Sequence, residues 1–311
     1  MIAPSGIGGW IAFRQRIGTA AAAAALAIEL GCAWVAPRAG AGGINDPAFL
    51  PPPAKRGDRE ALKAAICAEI KAYHDAGLLV FPWLYSRPGS WRAEVEAFAL
   101  LVECGADGII IDAEIEWGNH ESDAVAYGRA LRLALGDTWI ADAPWPWIRS
   151  HPEYPERAFA AFVDARLPQD YWCEINRAGA RADVARQQAE WSSVFADPKR
   201  TADELDPIWP VACTYGRAEL IHAGAPPCPG EMVPDDLDWF LDAHEGQPVS
   251  LYSLEMLLVD TPNGHECRTR LRERAERARP SPVGPVEVER ASDVVAPIGA
   301  DVIEGYKGGS T

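Results

Sequence analysis

Short apolar runs alternate along the chain with amphipathic or alanine-rich segments, a pattern that predicts strands each followed by a helix. The predicted strands are Gly9–Phe13, Ala33–Ala36, Leu78–Tyr85, Asp107–Glu116, Trp139–Ala143, Asp170–Glu174, Trp209–Tyr215 and Pro248–Leu257. Helices are predicted over Thr19–Leu30, Arg59–Ala76, Trp91–Cys104, Ser122–Leu135, Pro155–Asp164, Ala180–Phe195 and Pro234–Glu245. Gly77 and Gly136 stand where the second and fourth of these should stop, because glycine accepts the left-handed backbone that ends a helix. Eight strands with intervening helices over roughly 250 residues predict a closed parallel (β/α)8 TIM barrel. An open doubly wound sheet is the runner-up, but no GxGxxG-type turn follows the first strand.

Beyond the eighth strand, Arg268–Arg279 reads as a charged helix with a solvated face, and the sequence from Pro280 loses its periodicity before a Gly-rich end. The expected organisation is therefore a barrel over residues 1–265, with the charged helix and a flexible tail over 266–311. The tail is the expected attachment point for a particle or protein partner. The 311 residues are 48% hydrophobic and 24% charged, which supports a large core and excludes a disordered chain. With 29 basic against 45 acidic residues the net charge is −16, and that field repels nucleic acid.

Near the N-terminus, Arg14 and Arg16 precede Ala20–Ala25, and Cys32 follows, in superficial imitation of a secretory signal. Glu29 interrupts the apolar run, which is better explained as a helix packed closely on a strand. The expectation is cytoplasmic synthesis without a signal peptide, with a cell wall met after lysis or on a particle. No stretch approaches the ~18 uninterrupted apolar residues of a membrane helix. The seven cysteines (32, 67, 104, 173, 213, 228 and 267) show no CxxC pair, so reduced thiols are expected and no structural metal.

In a parallel barrel, reactive groups belong at the C-terminal ends of the strands. The fourth predicted strand ends in such groups: Asp112, Glu114 and Glu116 alternate at period two and share a face, with Ile109 and Ile111 opposite. Carboxylates that close cannot all ionise freely, so at least one pKa should rise, as a general acid near neutral pH requires. The same three are hard oxygen ligands suited to Mg²⁺, a weaker reading that predicts sensitivity to chelators. Aromatics lie in or beside the strands, among them Trp10, Trp83, Trp117, Trp145, Trp147, Trp172, Tyr85, Tyr171, Tyr215 and Tyr252. Part of this set should be core, and part should form flat platforms for sugar rings. Tyr171 and Trp172 are the expected mouth residues. Of the six histidines, His120 lies nearest the acidic strand. No G-x-S-x-G elbow is present, and Gly40–Gly43 lacks the Lys and Ser/Thr of a phosphate-binding loop. No cofactor is expected.

The stretch Gly105-Ala-Asp-Gly-Ile-Ile-Ile-Asp-Ala-Glu-Ile-Glu-Trp117 resembles the fourth-strand motif of glycoside hydrolase barrels, both chitinase-like enzymes and lysozyme-like muramidases. Asp107, Asp112 and Glu114 match the chitinase pattern, while Ile110 occupies its middle aspartate position. Asp112–Glu116, Pro168–Trp172 and Trp209–Tyr215 also resemble motifs of bacterial and phage barrels linked to peptidoglycan-binding modules. The resemblance implies cleavage of an N-acetylated polysaccharide, most plausibly peptidoglycan. Glu114 would be the acid/base, Asp112 its orienting partner, Tyr171 the holder of an N-acetyl carbonyl and Gln169 a contact to sugar hydroxyls. A second carboxylate, where the reaction needs one, would come from Glu116, Asp142, Asp170 or Glu255; substrate assistance would need none. The alternative expectation is a catalytically silent glycan-binding or structural barrel of a phage tail or related particle.

Overall fold

The computed structural model describes residues 1–55, 57–175, 186–187, 189–191, 207–222, 228, 230–231 and 233–278. Most of the predicted helix Ala180–Phe195 and the tail from Pro280 lie outside the described residues. The strands are β1 (Ile7–Ile11), β2 (Trp34–Ala41), β3 (Leu79–Val80), β4 (Trp83–Ser86), β5 (Gly108–Ala113), β6 (Trp139–Asp142), β7 (Ala165–Arg166), β8 (Gln169–Asp170), β9 (Val211–Cys213) and β10 (Val249–Tyr252). All pair in parallel, in the order β7-β6-β5-β4-β2-β1-β10-β9-β8, with β3 also on β2. β3 and β4 are two halves of the third stave, and β7 and β8 are two halves of the sixth. The sheet therefore closes on itself within one stave: β7 pairs with β6 and β8 with β9. The fold is the expected eight-staved (β/α) barrel.

The base of the barrel is filled by rings. Trp34 meets Phe81 edge-on at 5.6 Å, Phe81 meets Trp139 at 5.1 Å, and Trp139 stacks on Trp209 at 5.6 Å. Gly8 makes room for this layer, because a Cβ there would stand 2.0 Å from the Trp34 ring. Trp34, Phe81, Trp139 and Trp209 are thus spent on core packing.

Around the sheet lie α1 (Ala20–Glu29), α2 (Arg59–His74), α3 (Trp91–Glu103), α4 (Glu121–Leu135), α5 (Glu156–Ala160), α6 (Trp172–Ile175), α7 (Arg217–His222), α8 (Pro234–Ala243) and α9 (Pro262–Ala278). Thr19 caps α1 by accepting from Ala22 N, and Asp58 caps α2 by accepting from Glu60 and Ala61 N. α9 is the charged helix, and it is packed rather than simply solvated: Leu271 and Cys267 are buried. Arg270 reaches Asp235 at 2.6 Å and Asp238 at 2.7 Å on α8, Arg274 reaches Asp242 at 2.6 Å, and Arg272 pairs with Glu29 of α1.

Three further expectations are corrected. The sixth stave lies over Ala165–Asp170, and Trp172–Ile175 is helical, because Pro168 interrupts the ladder and ends the apolar alternation early. The fourth ends at Ala113, and Ile115–Trp117 turns into a 3-10 helix. Cys67 of α2 and Cys104, at the end of α3, form a disulfide with Cα atoms 4.6 Å apart, so the thiols are not all reduced. Helix packing brings together two cysteines 37 residues apart in sequence, a juxtaposition that spacing alone does not reveal.

Candidate functional site

A cavity of about 400 Å³ opens at the C-terminal ends of the staves, its wall including Asp112, Glu114, Trp145, Gln169, Tyr171 and Tyr252. Asp112 is the penultimate residue of β5 and Glu114 follows that strand, so both carboxylates reach the same cavity. Gln169, the first residue of β8, places its Nε2 between them. It donates to Asp112 Oδ1 at 2.8 Å, to Glu114 Oε1 at 3.1 Å and to the Ala143 carbonyl at 2.9 Å. On the far side Trp145 Nε1 donates to Glu114 Oε2 at 3.3 Å.

Burial pushes Asp112 well above the usual carboxylate range, and the nearby Glu114 charge and the hydrogen bond between the two acids push it the same way. Gln169 and the more distant Arg38 oppose the rise. Glu114 is raised as well, by burial first, against the hydrogen bonds from Gln169, Trp145 and Asp112 that favour its charged form. The two carboxyls therefore share a proton: Asp112 holds it and donates it toward Glu114, and the titration belongs to the pair. Such a pair can take up and deliver a proton at a higher pH than an isolated carboxyl.

Most of the rest of the wall is aromatic. Tyr171 and Tyr252 stack with centroids 5.1 Å apart, Tyr171 and Tyr215 lie 6.1 Å apart, and Trp10 meets Tyr252 edge-on at 5.9 Å. Ser250 fixes the Trp10 ring by accepting from its Nε1 at 2.9 Å. Flat apolar faces beside hydroxyl and N–H edges suit a sugar ring, whose C–H faces stack while its hydroxyls hydrogen-bond.

Of the residues expected from sequence, Asp112, Glu114, Gln169, Tyr171 and Tyr215 come together on this wall. Five do not. The 3-10 turn swings Glu116 away, where it accepts from Tyr85 OH at 2.7 Å with Arg87 Nε 3.9 Å off. Trp117 is fully buried, stacked on Tyr127 at 5.5 Å and donating to Ser86 Oγ. Asp142 is fully buried in a two-pronged pair with Arg166, at 2.6 and 2.7 Å. Trp172 packs against Phe240 at 5.5 Å. Glu255 is buried and accepts from the backbone N–H groups of Ala12 and Phe13. Asp107 lies at the base of its strand and accepts from Val80 N at 2.8 Å.

The three acids thus do not converge as a metal site, and no cluster of three metal-ligating side chains occurs among the described residues. Trp145, Pro146, Trp147 and His151 on the loop after β6 also line the cavity. The two tryptophans flanking a proline just after a strand are the signal that could have marked that loop. His151, rather than His120, is the histidine at the site; His120 faces Asp123 at 3.1 Å.

No family model matches the sequence, and no curated protein matches it. Solved structures do match in fold. A GH113 beta-mannanase from Alicyclobacillus acidocaldarius aligns with TM-score 0.52 and 15% identity over 87% of this chain and 96% of that one. A class V chitinase from Pseudomonas fluorescens gives 0.51 and 14%, over 86% of this chain and 100% of that one. The spore cortex-lytic enzyme SleL of Bacillus megaterium gives 0.51 and 11%, over 86% and 73%. The shared feature is the TIM-barrel fold. Among the described residues no helix is long and apolar enough to cross a membrane.

Proposed function

We propose that the protein is a glycoside hydrolase acting on an N-acetylated polysaccharide, peptidoglycan foremost, with Glu114 as acid/base and Asp112 as its partner. One observation carries the reading: two hydrogen-bonded carboxyls, held by neutral donors only, sit in the wall of a ring-lined cavity at the C-terminal end of the barrel. The fold likeness to enzymes described as a chitinase, a mannanase and a cortex-lytic enzyme agrees with it.

In this mechanism Asp112 passes the shared proton to Glu114 as substrate seats, Glu114 gives it to the departing glycosidic oxygen, and Glu114 then takes one back from the water that completes hydrolysis. The charge left on Asp112 stabilises positive charge as the bond breaks. A protein nucleophile acting across the scissile bond needs a second carboxylate about 5 Å from the acid. Glu116, Asp142 and Glu255 are turned elsewhere, and Asp170 is fully buried and not part of the cavity wall. Asp112 is hydrogen-bonded to Glu114 from the same strand end, too close to flank a bond with it. Among the described residues no carboxylate is placed for that role, which favours the substrate's own N-acetyl carbonyl as the nucleophile and supports an N-acetylated polymer. Tyr171 is the cavity hydroxyl assigned to that carbonyl.

The second reading is a silent glycan-binding barrel, and the fully buried Ile110 favours it, since it stands where the chitinase pattern has an aspartate beneath the pair. Release of reducing ends from cell-wall polymer by the wild type, lost in Glu114→Gln, is the expected result. Binding of the polymer without release by the wild type would select the silent barrel.

A further inference from the structure

A second cavity, of about 580 Å³, lies beside the first, and His151 lines both. A pocket of only about 10 Å³, sharing Glu114, Trp145 and His151 with the first cavity and Ile148, His151 and Tyr154 with the second, lies between them. The two spaces therefore adjoin across His151, whose ring packs on Trp145 at 3.7 Å. The wall of the second cavity carries several charges, most of them already answered. Glu156 accepts from Arg166 at 3.0 Å, Glu153 lies 3.6 Å from His151 Nδ1, and Glu121 stands in the first turn of α4, whose amide dipoles favour an acid; Arg157, a second arginine on this wall, has an interaction of its own. Arg149 differs: its side chain is exposed on the cavity wall and makes no ion pair among the described residues. An unmatched guanidinium offers a planar, two-pronged donor suited to a carboxylate, in a chain whose net charge is otherwise −16.

We infer that the second cavity is a subsite for a carboxylate-bearing unit of the polymer, read by Arg149. This deepens the proposed function and rests on it. The carboxylate belongs either to a substituent on the sugar ring or to the end of a short peptide attached to it.

The test measures binding by calorimetry in the Glu114→Gln background, so that probes stay intact. Three N-acetylated tetrasaccharides are compared: a neutral one, one with an acidic ether on the ring, and one whose ring acid is capped by a peptide ending in a free carboxylate. The expected result is about tenfold tighter binding of one acidic probe than of the neutral one, and that probe names the source of the carboxylate. Adding Arg149→Ala should erase the preference without weakening the neutral probe, and Arg149→Lys should keep part of it. Equal affinity for all probes, or a preference that survives Arg149→Ala, overturns the subsite while leaving the glycosidase reading intact. Failure to bind any of them, together with no reducing-end release by the wild type, overturns both.

Discussion

Two acidic clusters lie on neighbouring staves and have opposite kinds of partner. On β6, Asp142 is fully buried and gripped by Arg166, which also holds Glu156 at 3.0 Å, while Tyr154 OH donates to Asp142 at 3.2 Å. On the adjoining β5, Asp112 and the Glu114 that follows it receive side-chain hydrogen bonds, among the described residues, only from an amide, an indole and each other. A buried carboxylate gripped by a guanidinium serves structure: burial raises the Asp142 pKa, and the paired Arg166 opposes that rise. A buried carboxyl facing neutral donors and another carboxyl keeps a proton that it can trade. Choice of partner, more than choice of acid, separates scaffold from chemistry here.

The largest effect should come from the mouth. Glu114→Gln is expected to lower turnover by about 10²- to 10⁴-fold, the usual worth of a positioned acid/base, with an unchanged unfolding temperature. The mirror-image result is expected one stave away. Asp142→Ala leaves Arg166 buried beside one remaining carboxylate and should cost about 3–5 kcal/mol, seen as a drop of roughly 10 °C in thermal unfolding. If Asp142→Ala instead removed activity from a stably folded protein, the contrast would break.

Smaller effects sharpen the comparison through pH. Asp112 and Glu114 have raised pKa values when folded, so the native state holds protons that the unfolded chain releases above about pH 4. Their contribution to stability is therefore most favourable at low pH and declines as pH rises through the raised values. Asp112→Asn should flatten that part of the profile, measured as chemical denaturation against pH. Gln169 favours the charged forms, so Gln169→Leu should move the alkaline limb of activity to higher pH. Least of all, Trp145→Phe removes one 3.3 Å hydrogen bond to Glu114 and should cost under about tenfold in kcat, with the same limb shifting upward.

Much of the barrel was legible because strand-length apolar runs and helical stretches alternate cleanly, and the run Ile109–Ile111 before Asp112 marks a buried strand with a reactive end. The sixth stave carries no legible period because Leu167 and Pro168 split it into two-residue pieces. Extending the alternation past Ala113 put Glu116 on the wrong side, since a 3-10 turn ends the period-two logic that placed it. Asp142 looked like a site residue because its role depends on Arg166, 24 positions away, and sequence spacing says nothing of that pairing. Trp117 and Trp172 were misplaced for a related reason: a ring beside a strand end can turn outward to the helices as readily as inward to the mouth.

The break at Pro168 sets the phase of everything above it. Pro168 cannot donate to the ladder, yet its carbonyl accepts from Val211 N, and the chain resumes with Gln169 N on the Pro144 carbonyl. Gln169 thus faces the cavity, while Asp170, next along, is fully buried outside its wall. Deleting one residue of this segment would exchange the two, putting an anion where a neutral amide now clasps both acids. A single-residue frame error would turn a proton-sharing duo into a mutually repelling trio.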